Sequence, residues 1–180
     1  MGTALKLTQT LVLRDPDNAG HAVRVTELAL RLAEAVGAGP RRIEAIKAGG
    51  PLHDIGKLHL DPAILAKPGT LEPDELEEIR THPVIGVRML EGIRSLRSAL
   101  DCVMHHHERW DGTGYPHGLE GQKIPLEARI LAVADAYDAM TSHRPYREPR
   151  TREEALSEVE RCAGSQFDPH VARAFVALAG

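Results

Sequence analysis

Apolar positions recur three and four residues apart along most of this chain, the spacing of one helix face. Between Asn18 and about Val36 they fall at Val25, Leu28, Ala29, Leu32, Ala35 and Val36, and Gly37 and Gly39 close that helix. Pro40 opens a second helix that runs to about Leu52 with Ile43 and Ile46 inward. Asp61-Pro62 reads as an N-cap followed by the first residue of a short helical turn, and Lys67-Pro68-Gly69 as a loop. A helix from Pro73, with Asp74 and Glu75 in the first turn where the helix dipole favours them, is expected to carry the stripe Leu76, Ile79, Ile85 and Met89. Leu96, Ala99, Leu100 and Val103 mark another. The stretch Glu108 to Pro125 has four Gly and two Pro and no period, the mark of a functional or disordered connection. Helical spacing returns from Leu126 to Met140. Thr151 and Glu154 form a capping-box pattern ahead of Ala155, Leu156 and Val159. After a break at Gly164, Asp168-Pro169 starts a last helix with Val171, Phe175 and Leu178 inside. No strand pattern, repeat or low-complexity segment interrupts this order. The expectation is an all-α helical bundle forming a single domain over residues 1–180.

Composition agrees. A chain of 180 residues suits one core, and apolar residues at 42% with aromatics at only 3% imply a core of Leu, Ile, Val and Ala, which favours helices over a β-sandwich. The net charge of −4 is spread evenly, so neither a long nucleic acid nor a membrane surface is an expected partner. Cys102 and Cys162 make no disulfide framework and no C-x-x-C pair, which points to a reduced, cytoplasmic setting. No signal-peptide pattern and no apolar run of membrane-spanning length is present, so the chain as given is expected to be neither secreted nor membrane-spanning.

The count out of line is ten His. His21 lies four residues before Val25, His82 midway between Ile79 and Ile85, and His106 and His107 three and four residues after Val103. Residues at these spacings share a helix face, so four imidazoles point inward from three helices, and His53-Asp54 ends a fourth. One inward His alone reads as a core histidine satisfied by a backbone carbonyl. Several converging on carboxylates would leave nitrogens unpaired unless they share a cation. Asp135 sits in the apolar run Ile130 to Tyr137, where an ionised carboxylate needs a cation or an Arg as partner. Imidazole with carboxylate suits iron, manganese, zinc or nickel better than magnesium or calcium, and the absence of thiolates argues against a structural zinc site. His105 points off the common face and reads as a non-ligand.

The residues resemble a known family. His53-Asp54-Ile55-Gly56-Lys57 resembles the signature of the HD phosphohydrolase superfamily, and the string from His106-His107-Glu108 through Trp110-Asp111-Gly112 to Gly114-Tyr115-Pro116 that of its HD-GYP branch. Matching segments begin at Arg14-Asp15-Pro16 and His21, pass through Lys67-Pro68-Gly69 and His82-Pro83, and end at Arg144-Pro145-Tyr146-Arg147 and Phe167-Asp168-Pro169. The resemblance implies a bundle of about seven helices and metal-dependent hydrolysis of cyclic di-GMP to linear pGpG or GMP. It implies two divalent transition-metal ions, iron or manganese foremost. One would take His21, His53, Asp54 and Asp135; the other would share Asp54 and add His82 and His106. His107 would be a ligand of the second metal or of a third. The family's further Glu for a third metal is here Asp17, a shorter carboxylate. Two such ions can activate a bridging hydroxide and clamp a phosphodiester for in-line attack. Lys57, three residues after Asp54, is placed to touch the phosphate. Arg144 is a candidate for the other phosphate or a guanine, equally an ion-pair residue. Tyr115 is a candidate for the entrance, or for simple packing.

Alternatives are an interaction module whose signalling-protein partners contact the Gly-Tyr-Pro loop, and an HD phosphohydrolase for another nucleotide, hybrid cyclic GMP-AMP included. The ligand set is complete, which separates the chain from a pure adaptor. One departure stands out: Gly49-Gly50-Pro51 precedes His53 where helix formers are usual. A Pro inside a helix costs about 3 kcal/mol, so a kink that shifts His53 is expected there.

Overall fold

Helix ends in the computed structural model fall where the capping chemistry places them. The structure describes residues 16–67, 69–143 and 148–180, with side chains from residue 20 onward. Helix α1 spans Pro16–Ala35 and α2 Pro40–Gly49, followed by 3-10 turns at Gly50–Leu52 and Ile55–His59. A one-turn α3, Pro62–Leu65, starts at Asp61, whose carboxylate accepts the Ala63 N–H at 2.8 Å. Helices α4 (Pro73–Arg80) and α5 (His82–Leu90) follow, then a 3-10 segment Arg94–Ala99 running into α6 (Leu100–His105). Helix α7 (Leu126–Thr141), α8 (Arg152–Arg161) and α9 (Pro169–Ala179) complete the chain. The expected capping box of Thr151 and Glu154 opens α8, and Asp168 caps α9 by accepting the His170 N–H. Among the described residues there is no strand, so the all-α expectation holds.

The segment from Pro73 departs from expectation. One continuous striped helix was expected; the structure has two, broken at Thr81. A proline disfavours helical backbone in the residue before it and cannot donate, and Pro83 sits at the break. The orientation changes with it. Leu76 is exposed rather than inward, and the buried face of α5 is His82, Pro83, Gly86 and Leu90.

The packing forms two apolar clusters. The larger draws Val25, Ala29 and Leu32 of α1, Ile130, Leu131 and Val133 of α7, and Phe175 of α9 into one core. The smaller contains Leu52, Ile55, Leu90, Leu96 and Val103. Residues flanking His21 and Asp135 in the chain belong to the first, and those flanking His53-Asp54 to the second. The candidate centre therefore lies at the seam.

The doublet Gly49-Gly50 is explained by close approach. A Cβ on Gly49 would lie 2.5 Å from the Cβ of Cys102, and one on Gly50 2.5 Å from Thr26 Oγ1. The expected disturbance at Pro51 is real but mild: α2 tightens into a 3-10 turn at Gly50. It delivers His53 to the centre, because Gly50 O becomes the acceptor for His53 Nδ1 at 2.7 Å.

Gly56 has a sharper constraint, since its Cβ would meet His82 O at 1.9 Å and Gly86 N at 2.7 Å, backbone that cannot give way cheaply. Gly56→Ala should push α5 off the His53-Asp54 turn. The expected outcome is a loss of several kcal/mol in denaturant unfolding, about the scale of overpacking, together with weakened metal binding. A variant as stable as the parent in urea would contradict this packing.

Candidate metal centre

Three imidazoles of the centre are each aimed by their own backbone. His82 Nδ1 donates to Ile79 O at 2.7 Å, His106 Nδ1 to Val103 O at 3.0 Å, and His53 Nδ1 to Gly50 O. All three bonds run back three residues. A carbonyl can only accept, so each Nδ1 carries the proton and each Nε2 faces inward with a lone pair. Those nitrogens converge on Asp54. His82 Nε2 is 3.3 Å from Asp54 Oδ1, His106 Nε2 3.8 Å from the same oxygen, and His53 Nε2 3.6 Å from Oδ2.

This arrangement is unfavourable with protein atoms alone. The Nε2 lone pairs of His82 and His106 face each other at 3.3 Å. Among the described residues, buried His53 Nε2 and Asp54 Oδ1 have no hydrogen-bond partner. Each such orphan costs about 1–3 kcal/mol. Burial holds His106 down to about 4, against the pull of Asp54, and holds His107 well below its ordinary range, so both are neutral at pH 7. Burial alone would raise the Asp54 carboxyl, but Lys57 and the surrounding imidazoles outweigh it and keep Asp54 ionised. Neutral imidazole lone pairs around an ionised carboxylate are a donor set for a divalent cation, and separations near 3.3 Å are those of two ligands on one ion. The residues fit a metal.

Two groups of donors are brought together, and Asp54 belongs to both: one with His82, His106 and His107, the other with His21 and His53. Asp135 joins at the edge, its Oδ1 3.2 Å from His21 Nε2. Its side chain keeps 20% exposure, so the deep burial expected for it is not found. Lys57 Nζ is 2.6 Å from Asp54 Oδ2, beside the cluster as expected. Tyr115 stacks on His107 with ring centroids 4.8 Å apart, and Arg80 lies over the tyrosine ring at 5.7 Å. Arg144 and the side chain of Asp17 lie outside the described residues. His105 stands outside both groups.

The scan against protein families matches the HD domain over residues 6–171. The chain belongs to the HD domain family. Among curated relatives, this HD domain is 43% identical over 167 residues to a protein of Thermotoga maritima named cyclic di-GMP phosphodiesterase, covering 92% of the chain and 45% of that relative. It is 40% identical to the cyclic di-GMP phosphodiesterase response regulator RpfG of Xanthomonas campestris, over 93% of the chain and 45% of the relative. The chain thus spans less than half the length of these relatives. Of solved structures, a cyclic GMP-AMP phosphodiesterase of Vibrio cholerae, V-cGAP3, superimposes with a TM-score of 0.72 at 19% identity, covering 97% of this chain and 47% of that one. No helix among the described residues of the HD domain is long and apolar enough to cross a membrane.

The sequence reading missed two positioning residues. Asp138, one turn after Asp135, is buried and accepts from His21 Nδ1 at 2.8 Å and from Arg24 Nε at 2.5 Å. The Arg partner that a buried carboxylate on this helix called for exists, but it serves Asp138. The spacing Asp135 to Asp138 was the available signal. Glu108 was the other: it is buried, and its oxygens accept the His117 and Leu119 amides at 2.8 and 3.0 Å. Those bonds, with Trp110 N donating to Gln166 O at 3.1 Å, order the loop that lacked any period.

Burial lowers His21, but Asp135 and Asp138 outweigh it and raise the pKa to about 9. A raised folded pKa contributes stability fully below pH 6.5, lost as pH rises through about 9. Metal-free protein should therefore lose thermal stability over that interval, and Asp138→Asn should flatten the loss. The same variant should bind metal about 10–100-fold more weakly, since a ligand's orienting partner is weakened. Melting curves across pH and metal titration check both; an unchanged pH profile in Asp138→Asn would remove this role.

Proposed function

We propose that this HD domain is a metal-dependent phosphodiesterase that hydrolyses cyclic di-GMP to linear pGpG, GMP or both. The observation that carries the reading is the sharing of Asp54 by two donor groups. In this reading Asp54 would serve both of two divalent-ion sites, with iron or manganese as the ions. His21, His53 and Asp135 complete one set, and His82 and His106 the other, with His107 joining it. Bound there, the ions would supply Lewis acidity and an ionisable water for attack on phosphorus.

The chain's own residues do the rest. The Nδ1–carbonyl bonds hold three imidazoles in one tautomer, and Asp138 does the same for His21. The Lys57 ammonium lies beside Asp54, where it can offset negative charge growing on the phosphate. Tyr115, stacked on His107, borders the centre and offers a ring face to a base. The side chain of Asp17, a candidate for a third metal, and Arg144, a candidate for a phosphate or guanine, lie outside the described residues. The named relatives support cyclic dinucleotides as the substrate class. One of them, a 3'3'-cGAMP-specific phosphodiesterase of Vibrio cholerae, is 36% identical over 91% of this chain, so the hybrid dinucleotide belongs in the assay. A pure interaction module would not require this complete set of converging donors.

Asp54→Asn keeps the shape and removes the shared charge. It should abolish hydrolysis of cyclic di-GMP, followed by chromatography with Mn²⁺ or Fe²⁺, and elemental analysis should show metal content below the parent's. A folded variant cleaving at near the parent rate would overturn the two-metal reading. Lys57→Ala should lower turnover about a hundredfold, the usual loss for one electrostatic stabiliser, with metal content unchanged. Near-normal turnover would remove Lys57 from the chemistry.

A further inference from the structure

A second set of donors lies outside the Asp54 centre, where the loop leaves α6. His105, Glu108 and His117 each place one ligand atom within 4.8 Å of the others, and the group shares no residue with those around Asp54. Among the described residues, buried His105 Nδ1 has no hydrogen-bond partner. It lies 3.7 Å from Glu108 Oε1, too far for a hydrogen bond. Two ligands on a tetrahedral ion with ordinary Zn–N and Zn–O lengths stand about 3.4 Å apart. The separation is nearer that of two ligands on one ion than that of a hydrogen-bonded pair.

The Glu108 side chain is fully buried, and among the described residues its ion-pair neighbour is His105. The backbone amides of His117 and Leu119 take one lone pair on each carboxylate oxygen, leaving one on each for a further partner. The His117 ring stands 5.3 Å from that of His105 and is exposed, so the group opens to solvent on one side.

We propose that His105, Glu108 and His117 form a separate metal site that takes a borderline divalent ion such as Zn²⁺, with water completing its coordination. Two imidazoles and one carboxylate select that class of ion over magnesium or calcium. The ligands come from both ends of the segment 105–117. An ion held there clamps that segment, which carries Tyr115, to the end of α6. The position of Tyr115 over His107 then depends on this site as well as on packing.

The test is Zn²⁺ titration of chelator-stripped full chain against a chromogenic chelator, with elemental analysis, on the parent, His117→Ala, His106→Ala and the double variant. His117 is exposed, and circular dichroism should show the fold unchanged by its loss. The parent should bind about one ion more than His117→Ala. The double variant should bind about one ion fewer than His106→Ala, which places the loss outside the Asp54 centre. Identical titration of parent and His117→Ala would overturn the site, whatever the total count. So would a double variant that binds as much as His106→Ala alone, because His117 would then act through the Asp54 centre. Neither result depends on whether the domain cleaves cyclic dinucleotides.

Discussion

Asp54 is the point on which the structure turns. An ionised carboxylate with its side chain 5% exposed is unfavourable unless positive or polarisable partners surround it. Here the partners are Lys57 on one side and the inward nitrogens of His53, His82 and His106 on the others. Those nitrogens come from separate segments, so satisfying Asp54 brings α5 and the end of α6 against the His53-Asp54 turn, and His21 joins the same group from the side of the larger cluster. The same requirement explains the tight contacts nearby, since Gly56 lets α5 reach the His-Asp turn and Gly49-Gly50 let α1 and α6 close on α2.

The orienting bonds show how a helical scaffold makes a metal site without dedicated loops. In three of the histidines Nδ1 bonds a carbonyl three residues earlier, each close to a helix end or a 3-10 turn. Carbonyls in a last helical turn keep acceptor capacity that the regular ladder does not use. The imidazole uses it, and its other nitrogen is fixed in tautomer and direction. His21 is the exception: it lies inside α1, where backbone acceptors are already used. It must borrow the Asp138 carboxylate instead, and that carboxylate in turn is held by Arg24.

The loop after α6 is organised by a buried anion rather than by apolar packing. Glu108 gathers the amides of His117 and Leu119, and the Gly-Tyr-Pro turn closes around it so that Tyr115 lands against His107. This couples the edge of the centre to a group of donors that face away from it. Two clusters of imidazole and carboxylate thus occupy opposite sides of the short stretch His105 to Glu108.

Periodicity alone was enough for the helical class, for most helix ends and for the inward direction of His21, His82 and His106, because local spacing determines which side chains share a face. The HD pair and the Gly-Tyr-Pro string marked the chemistry for the same reason: both are contiguous in the chain. The stripe from Leu76 to Met89 failed because the helix is interrupted at Thr81 and the buried face beyond it is His82, Pro83, Gly86 and Leu90, a break the stripe pattern takes no account of. Asp138, Arg24 and Glu108 went unread because their partners lie distant in sequence, and a buried ion pair between separate helices leaves no local pattern. That Asp54 belongs to two donor groups, and that Asp135 meets His21 at the edge of the centre, were decided by how the helices pack, since only the tertiary fold brings atoms so far apart along the chain within a few ångström.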